Sequence, residues 1–438
     1  MRFMIFKETE LNPASLTAKQ QHNFRHFYLD ILWWGVLAGS TIAFVSVYLV
    51  RLGATTFHLA LLAAGPALVN LLISIPAGHW LKNRNLNKAT FQTSLWFRGG
   101  YLVLIFLPNL LPTNTGQIWT VILTYLAAAI PGTVLAISFN ALFADLVEPD
   151  WRPYVVGRRN AILALSITVT SLLVGTTLEH VVFPISYQVV FGIGFLGAAI
   201  SSYHLYKLQP AETTPVYNGQ PINDRLGYES QRNGDVAKRG FGLRFLTRQE
   251  SSRWLRYDLI RSPFGTFLLA YLFFYVAQYL PLPLFPVYLV KEIGISDSIL
   301  SISGALFYLG MMVISLKLDT ISQKFGRQKV LNWGVLSYAI FPLMISLWGN
   351  VGSILAAHIL GGVAWGFTGS SILNNLMDKT PAADRPAHMA LNHVTLNIGI
   401  LAGSFLGPVL GEMVGLQTAI LTAAFLRILA GLAVRRWA

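Results

Sequence analysis

Two stretches decide the fold. Ala144–Asn160 reads ADLVEPDWRPYVVGRRN, and Met377–His393 reads MDKTPAADRPAHMALNH. Moving the first forward by 233 positions puts Asp145 on Asp378, Arg152 on Arg385 and Pro153 on Pro386. The same shift carries Ser138 to Ser371 and Glu179 to Glu412. Earlier in each half the shift is 241, taking Gly53 to Gly294 and Lys88 to Lys329. An ungapped Asp…Arg-Pro…Glu set marks an internal repeat, and each copy of the Arg-Pro pair is followed by a long apolar run.

The apolar runs extend through the chain. Of 438 residues, 54% are hydrophobic and 12% charged, against roughly 25% charged in soluble domains. That leaves too little charge to coat several soluble domains. A hydrocarbon core roughly 30 Å thick needs about 20 mainly apolar residues per crossing helix. Twelve stretches qualify: Phe27–Val50, Phe57–Ala77, Ala89–Leu110, Gln117–Ala141, Asn160–Val182, Ser186–Tyr206, Phe264–Val290, Ser296–Leu316, Val330–Asn350, Gly352–Leu376, Ala390–Glu412 and Leu416–Val434. They are continuous, whereas barrel strands alternate every second residue. The expected organisation is a tail (1–26), six helices (27–206), a polar central loop (207–263), six helices (264–434) and a tail (435–438). No signal peptide is expected, because the first 26 residues are polar and mixed. Within the central loop, Arg248–Arg261 reads either as a surface-lying amphipathic helix, with Trp254, Leu255 and Leu259 inward, or as a solvated linker.

Charge placement orients the helices. Of the 32 basic residues, 28 fall on the face of the two tails and the even-numbered loops. Only Arg51 and Lys291 fall on the other face, and Arg98 and Arg427 lie within helices three and twelve. Positive residues collect on the cytoplasmic side, so both termini are expected there, in a cytoplasmic (inner or plasma) membrane. The net charge of +13 is then a topological label, and a nucleic-acid partner is not expected. An even number of helices per half makes the repeat parallel and not inverted.

The chain resembles the major facilitator superfamily over nearly its whole length. The superfamily's Gly-x-Leu-x-Asp-Arg-x-Gly-Arg-Lys type motif is matched between helices eight and nine by DTISQKFGRQK, Asp319–Lys329, through Gly326, Arg327 and Lys329. The copy from Gly78 reads GHWLKNRNLNK. Both depart from the motif at its Asp, where Lys82 and Gln323 stand. The resemblance implies an all-α integral membrane fold of two six-helix bundles related by a parallel repeat, working by alternating access. It also implies that helices one, two, four, five, seven, eight, ten and eleven line a central cavity, with three, six, nine and twelve peripheral.

Ionisable groups in membrane helices are costly and mark function by default. Asp30 is the best candidate for a protonatable coupling carboxylate, against the alternative of a solvated interfacial group. Arg98 and Arg427 read as paired structural cations or as snorkelling ones. Asp145, Arg152, Asp378, Arg385, Gly326 and Arg327 are assigned to coupling or gating. Midplane polar and aromatic residues are neutral: Thr41, Asn70, Tyr275, Gln278, Tyr308, Trp365 and Asn397; with Trp34, nearer the inside, they form the candidate substrate-binding set. Amides offer donors and acceptors and aromatic faces stack on rings, so the expected substrate is a small neutral or amphipathic solute, sugar-like or drug-like. Helix–helix bonding is the plainer role for each. Alternatives are multidrug or lipid efflux by proton antiport, or a non-transporting sensor or scaffold.

Helix eleven carries Gly399, Gly403, Gly407, Gly411 and Gly415, one smooth face expected to meet Ala60, Ala63, Ala64, Ala67 and Ser74 of helix two and let the halves rock. YLPLPLFP predicts a bend in helix seven, and Pro131–Gly132 one in helix four. An enzyme is not expected, since acid, base and nucleophile do not cluster at one depth. GIGFLG lies inside a helix without a preceding strand, and with zero cysteines and no HExxH a metal has little support. No cofactor is expected. The expected partners are a small molecule and the lipid bilayer, with transport either secondary active, coupled to protons or another ion, or facilitative, driven by the solute's own gradient, and the protein is expected to be a monomer.

Overall fold

The computed structural model describes residues 16–81, 84–148, 151–209, 257–380 and 385–437. Among these the regular structure is entirely helical. The first bundle comprises α1 (Ala18–Arg51), α2 (Thr56–Leu81), α3 (Leu86–Gly99, continued as Tyr101–Leu110), α4 (Asn114–Leu146), α5 (Arg152–His180) and α6 (Ile185–Tyr206). The second comprises α7 (Pro263–Glu292), α8 (Asp297–Phe325), α9 (Arg327–Trp348), α10 (Val351–Asp378), α11 (Arg385–Val414) and α12 (Leu416–Trp437). Eleven of these are each long and apolar enough to cross a membrane. The twelfth crossing, α3, is divided at Gly100.

The repeat is visible in the packing. α1 lies against α6 and α5, α2 against α4, and α3 against α4. Adding six to each number gives the neighbours in the second bundle: α7 with α12 and α11, α8 with α10, α9 with α10. Across the bundles α5 runs along α8 and α11 along α2, the same pair under the same rule. The repeated glycines agree. Gly53 after α1 has φ +100° and Gly294 after α7 has φ +75°, backbone that side-chain-bearing residues rarely adopt.

Local sequence sets the ends. Thr17 opens α1 with a capping box closed by Gln20, so α1 starts at Ala18 and not at the apolar boundary Phe27. Asn85, Thr113, Ser262, Ser296 and Asn350 cap the starts of α3, α4, α7, α8 and α10. These side chains satisfy N–H groups that no preceding turn can reach. Large apolar side chains such as Leu72, Trp96, Leu173 and Leu269 remain exposed, as a fold whose solvent is lipid allows.

Helix seven breaks as its prolines require: Pro263–Tyr279 ends, Leu284–Val287 resumes, and Tyr288–Glu292 is a π turn. The break expected in helix four is absent, because α4 runs through Pro131 without interruption. A single proline removes one main-chain donor, which a membrane helix accommodates, whereas Pro281, Pro283 and Pro286 remove three within two turns. Of the central loop, residues 257–261 form a 3-10 turn. The rest of the possible Arg248–Arg261 helix lies outside the described residues.

Candidate functional site

In the first bundle the site is built around Asp30, about 18 Å along α1 from its start at 1.5 Å per residue. Asp30 is 3% exposed, not solvated at an interface. Its Oδ1 accepts from Arg98 Nη2 of α3 at 3.4 Å and from Ser201 Oγ of α6 at 2.6 Å. Its Oδ2 accepts from Arg159 Nη2 of α5 at 3.3 Å. Arg98 Nη1 also donates to Ser202 Oγ at 3.0 Å, and its guanidinium lies 5.2 Å from the Trp34 ring. Arg159 is packed among Phe27, Phe139 and Phe143, with Phe139 nearest at 4.6 Å. One carboxylate thus faces two guanidinium groups. Arg159, read from the sequence as a loop cation, is 9% exposed on α5. Its signal was spacing: it stands seven residues after Arg152, two turns along one face.

The neutral midplane set divides by role. Asn70 Oδ1 accepts from Thr133 Oγ1 at 2.6 Å, tying α2 to α4. Thr41 is fully buried in the π turn Ala38–Ile42 and packs against Gly194 of α6, its hydroxyl unpartnered. Asn397 is 1% exposed and donates to His393 O in its own helix. In the second bundle Tyr275 and Gln278 are buried on α7, and Gln278 Oε1 has no partner. Trp365 packs 5.3 Å from Tyr338, whose phenol is an electrostatic neighbour of Tyr279 and Tyr308. Tyr279 and Tyr338 were not among the expected site residues. Tyr279 ends the first segment of α7, and Tyr338 stands between the two segments of α9, Arg327–Ser337 and Ile340–Trp348; apolar periodicity does not reveal such breaks.

Of the gating set, Arg152 donates to Val147 O and Ala144 O at 2.9 and 2.8 Å, closing the end of α4, and Asp145 is exposed beside it. The side chains of Asp378 and Arg385 lie outside the described residues. Gly326, φ +89°, is the single residue between α8 and α9. Arg327 lines a cavity of about 270 Å³ with Ser322, Asn374 and Lys379. Glu179 and Glu412 are exposed.

The glycine face of α11 meets α7, not α2. A Cβ on Gly399 would lie 2.4 Å from Tyr275 Cβ, on Gly403 2.6 Å from Val276 O, and on Gly407 2.1 Å from Leu280 O. α2 does run beside α11, with Phe57 on Phe405 at 6.3 Å, but the smooth stripe serves the broken helix of its own bundle.

The two bundles are latched on the face opposite the tails. Arg51 Nη2 donates to Asp297 Oδ1 at 2.8 Å, and Tyr187 Oη donates to Asp297 Oδ2 at 2.9 Å. Lys291 Nζ donates to Ala54 O at 2.9 Å, and Ser301 donates to Ser171 O. Arg51 and Lys291 are the two loop cations that stood outside the charge pattern. Each crosses from one bundle to the other.

Comparison with known proteins agrees with this architecture. Residues 267–438 match the Major Facilitator Superfamily, and residues 91–231 match the PUCC protein family. The quinolone resistance protein NorA of Staphylococcus aureus is 24% identical over 134 residues, 31% of this chain and 34% of that one. The MFS-type transporter traF of Penicillium crustosum is 32% identical over 127 residues, 29% of this chain and 25% of that one. The aligned segments therefore span about a third or less of these curated relatives. Solved structures match over almost the full length. A bacterial homologue of the iron transporter ferroportin in an inward-facing state has TM-score 0.70 at 11% identity, covering 95% of this chain and 98% of that one. A mutant of the nucleoside transporter NupG has TM-score 0.68 at 12% identity, covering 95% of this chain and 99% of that one. With twelve helices in two parallel-repeated bundles, the chain has the fold of these solved transporters, and its second bundle, residues 267–438, matches the Major Facilitator Superfamily.

Proposed function

We propose that this protein is a membrane transporter that moves a small neutral or amphipathic solute by alternating access, with both termini in the cytoplasm. The observation that carries the reading is the placement of the latch. Short polar contacts between the bundles, Arg51–Asp297 and Lys291–Ala54 O, lie on the sparsely charged face, and the neutral amide and aromatic groups lie deeper in the membrane. Breaking a few exposed polar bonds there costs little, as a two-state cycle needs. Gln278 Oε1, buried and unpartnered, is the polar group best placed to recognise a solute.

The test is a melting-temperature screen of the purified protein against sugars, nucleosides, amino acids and cationic amphiphiles, followed by flux in proteoliposomes. A neutral or amphipathic compound is expected to raise the melting temperature and to be transported. Stabilisation by charged amino acids alone would overturn the neutral-solute reading.

A second reading, proton-coupled drug efflux, is favoured by one feature: Asp30, a carboxylate buried between two arginines. The partial likeness to NorA, a quinolone resistance protein, is compatible with it. Flux of an amphiphile should then follow an imposed proton gradient in the wild type and lose that dependence in Asp30→Asn. Gradient-driven flux that survives in Asp30→Asn removes Asp30 from the coupling role.

A further inference from the structure

Arg427, in the middle of α12 and 1% exposed, is the largest fully buried side chain among the described residues. No carboxylate forms a salt bridge with it among those residues. A lone cation in a membrane helix ordinarily snorkels to the interface or finds an acid. Arg427 does neither. Its Nε donates to Ala277 O at 3.3 Å, its Nη2 to Gln278 O at 2.8 Å and its Nη1 to Tyr338 O at 3.2 Å. Its guanidinium also lies 4.4 Å from the Tyr338 ring.

The three acceptors share a property set by the sequence. In an α-helix each carbonyl accepts from the N–H four residues later. For Ala277 that residue is Pro281, and for Tyr338 it is Pro342; neither has an N–H. For Gln278 it is Leu282, whose N–H is turned to Tyr279 O at 3.3 Å by the break. Two prolines on two helices therefore strip two carbonyls of their helical donors, and the break in α7 turns the donor of the third away. One guanidinium on a third helix replaces all three, and its rigid planar fork suits several acceptors at once.

We infer that Arg427 is a positioning residue that stands in for the main-chain donors removed by Pro281 and Pro342, and thereby fixes the broken segments of α7 and α9 at the centre of the second bundle. Its role in flux rests on the transport reading above. The groups it holds are those nearest the proposed solute site: Gln278, with its unpartnered Oε1, and Tyr338, which packs on Trp365. The other flank of the α7 break is gripped by Gly403 and Gly407 of α11. The break is clamped from both sides, so a proline-rich segment keeps a single conformation in a place where free carbonyls would face hydrocarbon.

The experiment compares Arg427→Met, Pro281→Ala with Pro342→Ala, and the triple variant, by thermal unfolding of purified protein. Arg427→Met is expected to lower the melting temperature by about 5 °C or more, and the triple variant to regain at least half of that loss. Where Arg427→Met is not recovered folded, return of folded protein in the triple variant is the same result. Equal damage with and without the prolines would overturn the assignment. The second readout is flux of the solute found in the melting screen. Arg427→Lys keeps the charge and loses the fork, so its half-saturation concentration should rise about tenfold, the worth of one hydrogen bond to a charged group, with little change in maximal rate. A fall in maximal rate alone would overturn the positioning role. If no solute in the screen is transported, the transport reading fails while the melting comparison still decides the role of Arg427.

Discussion

Asp30 holds two buried cations, and that imbalance predicts how substitutions behave. Arg98 and Arg159 approach its two oxygens from α3 and α5. Removing one partner of a buried pair strands the other charge at a cost of about 3–5 kcal/mol. Asp30→Ala should therefore destabilise strongly, and adding Arg159→Met, which removes one stranded cation, should restore part of the loss. Thermal unfolding of the two variants checks this; an Asp30→Ala protein as stable as the wild type would mean the cluster contributes nothing to stability. At this scale the sequence was half legible. Asp30 and Arg98 stood out as charges inside apolar runs. Arg159 did not, because it sits in the basic run Gly157–Asn160 beside the exposed Arg158. One residue of helix rotates a side chain by about 100°, so adjacent arginines face lipid headgroups and bundle core respectively, and composition cannot separate them.

Helices carry their own evidence at different depths. Span positions and the Gly53–Gly294 correspondence were readable because hydropathy and turn backbone are local properties. The glycine stripe of α11 was equally readable as a face, but a face does not name its partner. The small residues of α2 offered one partner and the broken α7 was the other. What decides is backbone proximity: a Cβ on Gly403 or Gly407 would overlap main-chain atoms of Val276–Leu280 in α7. Gly407→Ala should therefore destabilise the second bundle by about 1–3 kcal/mol, as overpacking a filled contact does, with a fall in melting temperature as the readout. Gly411→Ala meets only the ends of the Leu416 and Leu284 side chains, which can shift, and should be milder. The reverse order of damage would place the tight contact elsewhere. The same comparison explains α4. Its one proline was expected to break it, but a continuous helix needs only local adjustment around one missing donor, whereas α7 must find substitutes for several.

At the scale of the whole molecule, the latch joins residues 246 positions apart in sequence, which is why no motif announced it. The sequence did record its members as exceptions: Arg51 and Lys291 are the two cations on the face that otherwise lacks them. Arg51 is 36% exposed at its side chain and Asp297 13%, so water screens the pair from one side and its contribution is modest, on the order of 1 kcal/mol. A weak latch is what an alternating cycle requires, since about 1.4 kcal/mol already shifts a two-state population tenfold. Arg51→Glu places like charges together and should favour the state opened on this face. Exchanging the pair, as Arg51→Glu with Asp297→Arg, should return the population toward the wild type, read as accessibility of a reporter thiol placed in the cavity. The chain contains no cysteine, so no native thiol competes with an introduced one. Arg51→Cys with Asp297→Cys, bridged by a short bis-thiol reagent, should hold this face shut and abolish flux in proteoliposomes. Either single cysteine treated the same way should keep it. Cleaving a reducible bridge should restore transport. Flux that continues at full rate through the bridged pair would mean that these bundles do not separate on this face during transport, and that alternating access through the latch is the wrong mechanism.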